Sequence, residues 1–189
     1  MFVGIDAATK HDSAAVVAVV HDDERIRLVA HRIWSPRKND PLDLEETVEA
    51  FVLHLRDRGF GLASVRFDPY QMARSASTLK KAGVRVQEFP QTSGNLTAAS
   101  QNLFELIQSK RLAVYPDDEL RRHAINAVAV EGSRGWRLAK ERASRKIDGV
   151  VALSFACLAA VERGSRRPVP DIAPIAVTGP SHWRSSHWR

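Results

Sequence analysis

Residues 2–34 read FVGIDAATKHDSAAVVAVVHDDERIRLVAHRIW, and this stretch decides the fold. Residues 2–6 are a short apolar run that ends in an acid, Asp6. Residues 13–20, SAAVVAVV, are continuously apolar, and residues 26–34 alternate as a half-buried strand does. Only the polar clusters ATKHD and HDDER separate these runs, and short polar gaps favour hairpins. Three antiparallel strands in succession are predicted.

Further along, SPRKNDP breaks the pattern with two prolines and marks a loop. Asp43 is placed to cap a helix over residues 44–58, in which Leu44, Val48, Phe51, Val52 and Leu55 recur at helical spacing. A strand over 63–67 ends at Asp68-Pro69. A helix over 70–82 closes at Gly83, and a strand over 84–89 runs into Pro90. Residues 92–98 read as a loop, followed by a helix through SQNLFELIQSKRL. After an apolar step over 112–115, Asp117 or Asp118 caps a helix over 119–130. Residues 135–138 form a short extended stretch within EGSRGWRLAKERASRK, and the last helix covers 147–161. This order predicts an α/β fold: a mixed sheet of three antiparallel strands followed by parallel strands, flanked by helices.

The 189 residues suit one domain, over 1–163, with a tail over 164–189. The tail holds four prolines, has no apolar periodicity and reads as a flexible Pro/Arg/Ser-rich terminus. Its near-duplicate SHWR could place tryptophans on bases, but the plainer reading is a terminus without function. No apolar stretch approaches the roughly 20 residues that cross a bilayer. The first residues enter a strand at once, so no signal peptide is expected. Cys157, the single cysteine, lies in VVALSFACLAAV and reads as a small buried hydrophobe in a reducing compartment.

The net charge of +6 points to an anionic partner. Arg121, Arg122, Arg134, Arg137, Lys140, Arg142, Arg145 and Lys146 face only Glu131 and Glu141 between residues 121 and 146. That run alone carries a surplus equal to the net charge of the chain. A solvated basic face would explain it, except that it leads directly into Asp148.

Asp6 closes the first strand, Asp68 closes the fourth, and Asp148 opens the last long helix. Each has an ordinary explanation: a turn for Asp6, a turn or helix start for Asp68 before Pro69, a helix cap for Asp148. Together they are a different matter. With the first and fourth strands adjacent and parallel, Asp6 and Asp68 leave the same sheet edge, and a helix start packed there adds Asp148. Three crowded carboxylates need positive charge between them. Hard divalent cations, Mg²⁺ or Mn²⁺, take such oxygen ligands, and two of them can serve the attacking and leaving oxygens of a phosphodiester.

GIDAATKHDSAAVV resembles the first acidic strand and hairpin of RNase H-like nucleases. FDPYQMARSASTLKKAGVRVQEFPQ resembles the second motif of phage large terminase nuclease domains, and SRKIDGVVALSFAC the third. LFELIQSKRLAVYPDDELRRHAINAVAV is similar to the stretch before that motif, so the resemblance runs from Phe2 to Val161. It implies an RNase H-like fold and a metal-dependent endonuclease that cuts phage DNA during packaging, with two Mg²⁺ or Mn²⁺ ions held by Asp6, Asp68 and Asp148. It also implies phosphate contacts from Arg142, Arg145 and Lys146, and brings His123 and Asn126 into view as polar residues upstream of the site. Asp12 is assigned a hairpin turn. The implied partners are double-stranded DNA and, through a full packaging motor, the portal and small terminase subunit, in the host cytoplasm. No Gly-Lys-Ser/Thr phosphate loop is present, so the expectation is a nuclease domain, a split subunit or a prophage remnant rather than the motor.

RuvC-type resolvases and RNase H enzymes share the strand-end acids; paired sites in a dimer or a preference for RNA–DNA hybrids would distinguish them. An actin-like ATP-binding fold would want a Gly- and Ser-rich hairpin that GIDAATKHD lacks. A non-catalytic DNA-binding module would use the basic run and need no metal.

Overall fold

The computed structural model describes residues 1–8, 13–22, 24–37, 40–142 and 144–163. The expectations for Asp12 and for the tail over 164–189 fall outside these residues.

Strands β1 (Phe2–Asp6), β2 (Ala14–Asp22) and β3 (Arg25–Trp34) form the predicted antiparallel run, with Asp6 opposite Ala15 and Ala14 opposite Trp34. Strand β4 (Ser64–Phe67) lies parallel to β1, β5 (Val86–Glu88) parallel to β4, and β6 (Leu112–Ala113) parallel to β3. The sheet order is β5-β4-β1-β2-β3-β6. The mixed sheet expected from the sequence is therefore present, with β1 at its centre between an antiparallel and a parallel neighbour.

Period-two alternation sorts β1 and β2 onto two cores. Phe2, Ala15, Val17 and Val19 face one, shared with α3 (Ser93–Gln108) and α5 (Asp148–Arg163). Val3, Ile5, Ala14, Val16 and Ala18 face the other, under α1 (Ala50–Asp57) and α2 (Ala73–Lys81). Covering both faces explains why SAAVVAVV is apolar throughout rather than alternating. Each Val, Leu or Phe fully buried here contributes roughly 1.5–3 kcal/mol. Helix α5 is buried almost from end to end, including Cys157, whose thiol pKa is pushed up by burial. No helix among the described residues is long and apolar enough to cross a membrane.

Several boundaries differ from the sequence reading, each for a local reason. Residues 93–98 belong to α3, because the Thr92 side chain caps it by accepting from the Asn95 amide at 3.2 Å. The helix expected over 119–130 stops early: α4 spans Asp118–Ile125, and β7 (Ala127–Gly132) turns back to pair antiparallel with β8 (Gly135–Lys140). The AVAV stretch suits either period, and its cross-strand partners decide. Residues 45–49 form a π-helical turn ahead of α1 whose N-cap is Leu44; Asp43, one residue before it, accepts from the Glu45 amide at 2.7 Å through Oδ1. Helix α2 begins only at Ala73, since Gln71 takes a left-handed φ of 64°.

Helix α4 is fixed to the sheet through its cap. Asp117 Oδ1 accepts from the Leu120 amide at 2.8 Å and lies 3.3 Å from Nε2 of buried His31 on β3, whose Nδ1 lies 2.5 Å from the Tyr115 hydroxyl. The hydrogen bond from His31 outweighs the opposing effect of burial and lowers the Asp117 pKa from 3.8 to about 2. A depressed folded-state pKa gives stability that is complete above the ordinary value and is lost as pH falls through the folded one. Between about pH 4 and pH 2, the parent protein should therefore lose stability relative to Asp117→Asn, which keeps a capping oxygen without the charge. Urea midpoints across that range check this; parallel curves would remove Asp117 from the acid limb.

Candidate active site

The last paired residues of β1 and β4 are Ile5 and Phe67, so Asp6 and Asp68 each follow one step beyond, side by side at the same end of two parallel strands. Helix α5 packs across β1 and β2 on one face, and its first residue is Asp148. Ser13, just before β2, donates its hydroxyl to Asp148 Oδ2. Because Asp6 pairs with Ala15, Ser13 lies at the strand end beside it. The structure thus places all three predicted acids at one edge of the sheet.

Their surroundings differ. Asp6 is half-buried and accepts from Gln91 Nε2 at 2.9 Å. Asp68 accepts from the Tyr70 amide at 3.2 Å, the local turn that Asp-Pro sequences favour. Asp148 is 4% exposed and, besides Ser13, has Lys140 Nζ at 3.9 Å from Oδ1. Burying a carboxylate is costly unless it is paired and hydrogen-bonded, and Ser13 supplies the hydrogen bond and Lys140 the opposite charge. Among the described residues, no three His, Cys, Asp or Glu side chains close into a ready metal cage. The donor chemistry nevertheless fits a hard divalent cation: three carboxylates leaving one edge, with no sulfur or imidazole ligand required.

The basic run divides between roles. Arg142 is exposed, and Lys146 is half-buried. Arg145 is exposed and donates from Nη1 to Asn126 Oδ1 at 3.2 Å. Lys140 reaches the edge from β8, because its strand register, opposite Ala127, points it the same way as Leu138 and Trp136. Trp136 meets Phe104 of α3 edge-on at 5.4 Å, and the Leu138 amide donates to Ser100 Oγ at 2.9 Å, which ties the hairpin to α3.

Ser13, Gln91 and Lys140 were not singled out by the sequence. Ser13 and Gln91 carried no signal beyond lying next to strand ends. Lys140 was visible only as one charge in a run. His123 and Asn126 do come close, though to the backbone around Asp148: His123 Nδ1 accepts from the Gly149 amide at 2.9 Å, and Asn126 Nδ2 donates to the Lys146 carbonyl at 3.1 Å.

No protein-family model matches the chain, and no curated protein matches it. Among solved structures, the chain is similar to the HK97 bacteriophage large terminase, with TM-score 0.72 and 23% identity over 84% of this chain and 39% of that one. It is also similar to the large terminase nuclease from thermophilic phage G20c, with TM-score 0.65 and 18% identity over 82% of this chain and 79% of that one. The same nuclease with bound magnesium gives TM-score 0.63 and 17% identity, again over 82% and 79%. The chain spans less than half the length of the HK97 protein and most of the G20c nuclease. Its fold is the RNase H-like mixed sheet of terminase nuclease domains.

Proposed function

We propose that this chain is a divalent-metal-dependent endonuclease that hydrolyses phosphodiester bonds in duplex DNA, of the kind that cuts phage DNA during packaging. The observation that carries this reading is the convergence of Asp6, Asp68 and Asp148 on one sheet edge, from two parallel strand ends and a helix start. The fold likeness to terminase nucleases, one of them with bound magnesium, supports it.

Asp6, Asp68 and Asp148 would hold the metal. Bound there, a pair of Mg²⁺ or Mn²⁺ ions supplies an activated water and counter-charge for the departing 3′ oxygen. Ser13 orients Asp148, and Gln91 orients Asp6. Arg142, Arg145 and Lys146 hold phosphates of the cut strand, Arg through a planar fork and Lys as a point charge. Such contacts set the register of the duplex without reading its bases, so the chain cuts with little sequence preference. Choice of cutting position falls to the portal and small terminase subunit of a packaging complex in the host cytoplasm.

Purified chain is expected to nick supercoiled plasmid with Mn²⁺ or Mg²⁺ and to leave it intact in EDTA. Retention of DNA with no cleavage in either metal would replace this reading with a binding module.

A further inference from the structure

Helix α4 holds the chain on both sides of Asp148. On the far side, the Gly149 amide is one of those that a helix start leaves without an intrahelical partner. Side chains of Ser, Thr, Asp or Asn usually satisfy such a group from the residue at the helix start itself. Here the acceptor comes from another helix: Nδ1 of His123, which is 5% exposed, at 2.9 Å. On the near side, Asn126 ends α4 and uses both atoms of its amide. Its Nδ2 donates to the Lys146 carbonyl at 3.1 Å, and its Oδ1 accepts from Arg145 at 3.2 Å.

The contact is closely fitted. A Cβ at position 149 would lie 2.9 Å from Ile33 Cδ1 and 3.2 Å from both His123 Nδ1 and Leu120 Cδ1, so the side chains of β3 and α4 close tightly over the start of α5. To accept from an amide, Nδ1 must lack a proton, which leaves the proton of the neutral ring on Nε2. The flanks of Asp148 are held by α4, and its carboxylate is held by Ser13.

We propose that His123 and Asn126 are positioning residues, which fix the backbone at 145–149 so that the Asp148 carboxylate is presented at the sheet edge. This role rests on the nuclease reading above. It is distinct from metal ligation, since His123 Nδ1 and Asn126 Nδ2 bond to the main chain on either side of Asp148. Supporting groups of this kind commonly govern metal affinity or activity by about 10- to 100-fold.

The test compares His123→Leu, which removes the acceptor at similar bulk, with His123→Asn, whose Oδ1 can stand where Nδ1 stood. Three quantities are read: exchange of the Gly149 amide proton, Mn²⁺ affinity by titration, and kcat and KM for plasmid nicking. His123→Leu should speed Gly149 exchange, weaken Mn²⁺ binding about tenfold and lower kcat about tenfold, with KM for DNA within about twofold. His123→Asn should recover each to within about threefold of the parent. Parental Mn²⁺ affinity in His123→Leu, or equal damage in both variants, overturns the proposal. If His123→Leu does not fold, Asn126→Ser carries the test from the other flank: weakened Mn²⁺ binding supports the role, and unchanged binding overturns it. A parent chain that neither binds Mn²⁺ nor cuts sinks the nuclease reading and this role with it. A parent that does both, matched by its variants, removes only the role.

Discussion

Asp148→Ala is expected to lower metal-dependent plasmid nicking by about a thousandfold or more, equivalent to about 4 kcal/mol of transition-state stabilisation. The size follows from where the residue sits. Asp148 is the most buried of the three acids, so water cannot readily take the place of its carboxylate. Its neighbour Lys140, 3.9 Å away, makes the local field more positive once the acid is gone, which opposes cation binding. The same change does not weaken attraction for phosphate, so DNA retention at fixed salt should hold within about twofold. Asp148→Asn separates charge from packing: it keeps an oxygen for the Ser13 hydroxyl but loses the negative charge, and should lose nearly as much activity. Asn at the parental rate would show that the carboxylate has no part in the chemistry.

The second large effect concerns stability. Gly4 sits in the middle of β1, opposite Val17 on one side and Arg66 on the other. A glycine inside a strand is costly unless another backbone must approach closely. Here one does: a Cβ at position 4 would overlap the Ala152 carbonyl oxygen and stand 2.7 Å from the Ala156 amide nitrogen. Both are main-chain atoms of α5, so no side chain can rotate away. Gly4→Ala must push α5 off the sheet, and a destabilisation of about 3 kcal/mol or more is expected. In a chain of this size that lowers the melting temperature by about 10 °C. Gly61→Ala, where a Cβ meets nothing within 4 Å, serves as the control and should melt near the parent. A Gly4→Ala protein melting with that control would mean that α5 does not rest on β1 as described.

The parts of the fold legible in the sequence were those whose pattern has a single solution. SAAVVAVV is too short and too β-branched for a helix of its own, and VVALSFACLAAV is too long for a strand, so β2 and α5 were readable by length and composition. AVAV at 127–130 satisfies both periods, and its state depends on Arg137, Leu138 and Lys140 across the hairpin, which local reading does not see. The start of α3 was hidden because SGN resembles a loop until Thr92 is known to cap it. The same division holds at the site. Asp6, Asp68 and Asp148 announced themselves by lying at element ends. Gln91, Ser13 and the capping role of His123 arise from register and packing between segments 26 to 135 residues apart, and no local pattern encodes them.

The two rims of the sheet bear on how this chain behaves in company. One rim is β5, with three residues, and the other is β6, with two. Gln87 and Glu88 stand exposed on the first, and Pro116 follows soon after the second. A foreign strand seeking main-chain partners finds only a few amides and carbonyls before the template runs out, beside a charge or a proline that offers no amide. Stacking of copies through the rims of the six-stranded sheet is thereby discouraged at both ends.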